Sequence, residues 1–60
     1  MITVQWWYKL PTGAETKPII ANKDRFEFLT KKSANGLEIG ERRSFPQGKS
    51  IGRLFVKRLN

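Results

Sequence analysis

The chain has 60 residues, twelve basic and five acidic side chains, a formal net charge of +7, and neither cysteine nor histidine. This excludes disulfides, thiolate and imidazole metal sites, and mechanisms that need a cysteine nucleophile or a histidine base. The length allows one small domain, residues 1–60, and a chain of this size buries only about 60% of the surface it exposes when unfolded.

Ile2, Val4, Trp6, Tyr8 and Leu10 alternate with Thr3, Gln5, Trp7 and Lys9. A period of two in β-branched and aromatic residues predicts a half-buried strand, which Pro11-Thr12-Gly13 closes with turn chemistry. In such a strand Trp6 joins the core side, while Trp7 falls with Thr3, Gln5 and Lys9 on the polar side. Three readings of Trp7 follow: packing under the chain's own C-terminal segment, stacking on a nucleobase, or burial in an interface with another protein or a second copy of the chain.

Lys17-Pro18-Ile19-Ile20-Ala21 predicts a short edge strand, because a proline has no N–H to give to a ladder. Asn22-Lys23-Asp24 has turn composition. In R-F-E-F-L-T, residues 25–30, Phe26 and Phe28 alternate, and the expectation is a strand. Its rival is a helix from Lys23 to Ala34, capped by Asn22 and stopped at Asn35-Gly36. Asn35-Gly36 is a turn signal in either case. Beyond it, Leu37, Ile39 and Phe45 are expected to face inward, with a bulge at Gly40 and a further turn at Pro46-Gln47-Gly48.

The last eleven residues, S-I-G-R-L-F-V-K-R-L-N, support two patterns. As a strand, Leu54 and Val56 share one face, and Arg53, Phe55 and Lys57 the other. As a helix, Ile51, Leu54, Phe55 and Leu59 form a stripe, at a cost of about 1 kcal/mol for Gly52. A strand running into a short C-terminal helical turn satisfies both. The expected fold is therefore mainly β: a small twisted antiparallel sheet or SH3-like barrel of four to five short strands. An α+β fold with one helix near 23–34 is the alternative. The opening M-I-T-V-Q-W-W-Y-K resembles the first strand of the small archaeal chromatin proteins with SH3-like barrels. That resemblance implies a small basic β domain and assigns no residue a role.

The charges are unevenly placed. Residues 1–14 carry only Lys9, for +1. Residues 15–41 balance five basic against five acidic side chains, and 42–60 hold Arg42, Arg43, Lys49, Arg53, Lys57 and Arg58 with no acid, for +6. Such a block implies an anionic partner. The expectation is a small non-enzymatic nucleic-acid-binding protein of weak sequence specificity, for DNA or RNA. Its site would comprise Trp7, Lys9, Arg42, Arg43, Lys49, Arg53, Phe55, Lys57 and Arg58. Replacing Arg42 and Arg43 together would flatten its salt dependence by about two units of slope, at about 0.9 per phosphate contact.

The alternative is a protein-binding module or small inhibitor, of the kind encoded by phages or mobile elements. It would dock on an acidic protein with Trp7 as its anchor. Exposed strand edges and a thin core make a homodimer compatible with both.

No catalytic residues, cofactor or metal ligands are expected. Gly48-Lys49-Ser50 imitates the end of a phosphate-binding loop, but Arg43 stands where that motif needs its first glycine. No run approaches the ~20 apolar residues of a membrane helix, and no basic-then-apolar leader opens the chain. The apolar residues at 51–59 are needed for the core rather than for a membrane surface, so a cytoplasmic location is expected.

Overall fold

The computed structural model describes residues 1–60. Strand β1 (Thr3–Lys9) is followed by β2 (Ile19–Asn22), helix α1 (Lys23–Thr30), β3 (Arg42–Pro46) and β4 (Arg53–Arg58). The four strands form one antiparallel sheet in the order β2-β1-β4-β3. The sheet is open, with β2 and β3 as its edges, so it does not close into a barrel. The two strands nearest the chain ends are its central pair.

The alternation in β1 works as the sequence implies. Val4 and Trp6 are buried, with Ile2 and Tyr8 packed at the margin of the core, while Leu10 lies beyond the strand and is exposed. Leu54 and Val56 of β4 lie opposite Tyr8 and Trp6 on the same face and are fully buried. Phe26 of α1 packs edge-on against Trp6, with ring centroids 5.4 Å apart and planes at 61°. Ala34 and Leu37, from the segment after the helix, complete the core. Helix and segment thus cover one face of the sheet.

The chain returns along β1 before β2 begins. The Leu10 N–H bonds to the Ala14 carbonyl, and Tyr8 and Thr16 pair twice: the Thr16 N–H with the Tyr8 carbonyl at 2.8 Å and the Tyr8 N–H with Thr16 Oγ1 at 2.9 Å. Glu15 consequently sits across from Lys9.

Residues 25–30 are helical, and the expected strand there does not form. Asn22 ends β2 in extended backbone and caps α1, its Oδ1 accepting the Arg25 N–H at 2.7 Å. Phe28, which a strand would have set on one face with Phe26, is 71% exposed, because only Phe26 of this short helix reaches the sheet. After α1, Lys31 takes a left-handed conformation and returns its N–H to the Glu27 carbonyl.

The Glu27 side chain straps the following segment. It accepts the Ala34 N–H at 2.8 Å, is approached by Lys23 Nζ at 3.3 Å and receives the Ser33 hydroxyl. The Ala34 N–H, aided by Lys23 and Ser33, holds its carboxyl below the ordinary value, against partial burial that pushes it up.

Two further expectations are corrected. Ile39 is 69% exposed rather than inward, because Gly40 at φ +85° makes a turn before β3 instead of a bulge within it. The C-terminal segment contains no helical turn: β4 runs to Arg58, and Leu59 and Asn60 follow it outside any helix. Gly52 is decisive there. Its φ is +91°, and a Cβ would overlap the Lys9 carbonyl, so a glycine is required where the β3–β4 turn meets the end of β1.

Candidate nucleic-acid interface

The chain has one helix, and it lies on the Trp6 face. The opposite face carries no second layer. The strand pairing sorts its side chains into three rows running across β1, β4 and β3. Gln5, Lys57 and Arg42 form the first row, Trp7, Phe55 and Ser44 the second, and Lys9, Arg53 and Pro46 the third. Successive rows are two residues apart along each strand, roughly 7 Å. An aromatic pair is thus bracketed by two cations on each side, and these nine positions include no acid.

Trp6 and Trp7 therefore have separate tasks. Trp6 is 4% exposed in the core. Trp7 is half-buried on the open face, where its ring stacks on Phe55 with centroids 5.7 Å apart and planes within 10°. The C-terminal strand lies beside Trp7 and does not cover it. The Arg42 guanidinium stands 5.8 Å from the Trp7 ring centre, a cation–π geometry. Arg53 is steadied by donating to Ser44 Oγ at 3.1 Å.

Six of the nine sequence-selected residues meet on this surface: Trp7, Lys9, Arg42, Arg53, Phe55 and Lys57. Lys49 lies in the turn joining β3 to β4, beyond the Lys9–Arg53 row. Arg43 and Arg58 belong to the other face, where they sit opposite the core residues Val56 and Val4. Arg43 Nη1 donates to the Ser33 carbonyl at 3.2 Å, and Arg58 Nη1 donates to the Leu37 carbonyl at 2.9 Å. Both fasten the segment after α1 to the sheet. Their charge adds to the overall field, but they are not neighbours of the aromatic pair.

Four cleft-lining residues of this surface escaped selection. Gln5, Glu15 and Thr16, with Pro18, border a shallow cleft of about 470 Å³ beside Trp7, whose remaining walls are Arg42 and Lys57. The Glu15 carboxylate makes no salt bridge; the single ion pair in the chain joins Lys23 to Glu27. Gln5 lies on the polar side of β1 by its parity alone. Glu15 and Thr16 reach the cleft only because the return segment hugs β1, a long-range event that local pattern does not announce.

No helix is long and apolar enough to cross a membrane. No protein-family model matches the chain, and neither a curated protein nor a solved structure matches it.

Proposed function

We propose that the chain is a non-enzymatic nucleic-acid-binding protein that uses the uncovered face of its sheet. One observation carries this reading: the stacked Trp7–Phe55 pair lies between the cation pairs Lys57–Arg42 and Lys9–Arg53 on a surface with no layer above it. Cations supply phosphate contacts, which dominate affinity and make it salt-dependent. Aromatic rings supply stacking, about 1–3 kcal/mol per base and tolerant of sequence. Lys49 extends the basic surface at one end.

Indole fluorescence tests the proposal directly. Single-stranded DNA, duplex DNA and RNA are titrated at two salt concentrations into the protein and into Trp7→Phe. The expected result is quenching that Trp7→Phe removes, with affinity falling steeply as salt rises. Absence of binding to all three at low salt refutes the proposal. A partner that survives nuclease treatment of a lysate would then assign the face to an acidic protein.

A further inference from the structure

The same face contains a feature that a simple phosphate-binding surface does not need. Glu15 places an unpaired carboxylate at the edge of the basic cleft beside Trp7. Toward the phosphate backbone of a duplex it would be repulsive. Toward a base it is an acceptor. Resting on the nucleic-acid reading above, we infer that the protein binds single strands, that one unpaired base enters the cleft against Trp7, and that Glu15 reads its edge, with guanine preferred.

The geometry favours a single strand over a duplex. In a duplex the bases are stacked away from a sheet surface, and an aromatic reaches them only by wedging between steps. Trp7 and Phe55 are half-buried and stack on each other, and the Arg42 guanidinium lies near the Trp7 ring, so neither projects as a wedge. An unpaired base brings its own exposed π-face and needs only a platform.

The cleft then divides by chemistry. Lys57 and Arg42 take the phosphate side. Glu15, Gln5 and Thr16 line the base side, and Thr16 Oγ1, already accepting the Tyr8 N–H, retains a hydroxyl proton to donate. Guanine offers two adjacent donors on its Watson–Crick edge, N1–H and the N2 amino group, which a carboxylate accepts together. Thymine, cytosine and adenine each offer that edge one donor group.

The test compares an oligothymidine of about twelve nucleotides, within the span of small single-strand sites, with the same strand carrying one central guanine. A hairpin of equal length whose stem pairs thymine with adenine is the third ligand. The single guanine is expected to tighten binding at least about fivefold. The hairpin is expected to bind about tenfold or more weakly, because its bases must first be unpaired. Glu15→Gln should abolish the guanine preference and raise affinity for plain oligothymidine, since a negative charge has left the basic cleft. Glu15 is exposed, so the variant should fold. Hairpin binding as tight as single-strand binding overturns the single-strand inference. Tight single-strand binding without a guanine preference, or with one that survives Glu15→Gln, overturns the role of Glu15. Binding to none of the three removes the nucleic-acid reading itself.

Discussion

Trp7 and Phe55 face each other directly across β1 and β4, their rings within 10° of parallel and 5.7 Å apart. Each ring shields one side of the other, so the pair acts as a unit. Trp7→Ala and Phe55→Ala should each weaken nucleic-acid binding by about 1–3 kcal/mol. Their stability effects should be coupled by about 0.5–1.5 kcal/mol in a double-mutant cycle. Additive stability changes would mean that the stack contributes no more than its two surfaces do separately.

The arginines at 42 and 43 are neighbours in sequence on opposite faces of the sheet. Arg42→Ala with Lys57→Ala should lower the slope of log affinity against log salt by about 1.4 for a single strand, at about 0.7 per phosphate contact. Arg43→Ala should leave that slope unaltered. Its loss should appear as lower stability, about 1 kcal/mol for the missing bond to the Ser33 carbonyl. A slope that responds equally to Arg43 would contradict the division of the two faces.

Much of this arrangement is legible in the sequence, and the reasons for the rest are specific. β1 is legible because its two faces meet different surroundings, a core at Val4 and Trp6 and an open face at Gln5 and Trp7. The helix is not, because a single residue, Phe26, meets the core. The exposed Phe28 then imitates strand alternation, although Asn22 marks the true start of the helix; Asn35-Gly36 lies beyond its end, which Lys31 sets in left-handed backbone. Parity also separates Arg58 from Lys57 and groups Arg43 with Phe45, a signal that total charge obscures. The register that joins Arg42 to Lys57 and Gln5 depends on pairing across the sheet, which no local pattern contains.

Gly52 offers a sharp test of the turn between β3 and β4. Gly52→Ala would force a Cβ into the Lys9 carbonyl at a φ of +91°. The expected loss is about 3 kcal/mol or more, against a total of about 3–9 kcal/mol for a domain of this length. Thermal melting should show a chain unfolded or nearly so, whereas Gly13→Ala, at a position with open space around it, should melt only modestly earlier.

Acid should loosen the segment after α1. The Glu27 carboxyl has a lowered pKa in the folded chain relative to an ordinary value of 4.5. Its contribution is therefore fully present above that value and is lost as pH falls through the folded value. Denaturant midpoints measured through the acid range should decline on that limb. Glu27→Gln should flatten the decline and cost about 1 kcal/mol near neutrality. An acid limb unchanged in Glu27→Gln would assign the titration to another carboxylate.

The central pair of strands joins residues far apart in the chain. Partners across β1 and β4 are separated by 44 positions at Lys9 and Arg53 and by 54 at Val4 and Arg58. The entropy of closing that loop has to be overcome before either strand gains its main neighbour. During synthesis β1, with both tryptophans, emerges first and waits for β4, which is made last of the elements. Until then β2 is a hairpin arm without a sheet, and Val4 and Trp6 have no Leu54 or Val56 to pack against. Folding should accordingly wait for β4 and then proceed in one slow, concerted step, and a chain truncated before Arg53 should remain open to proteases along its whole length.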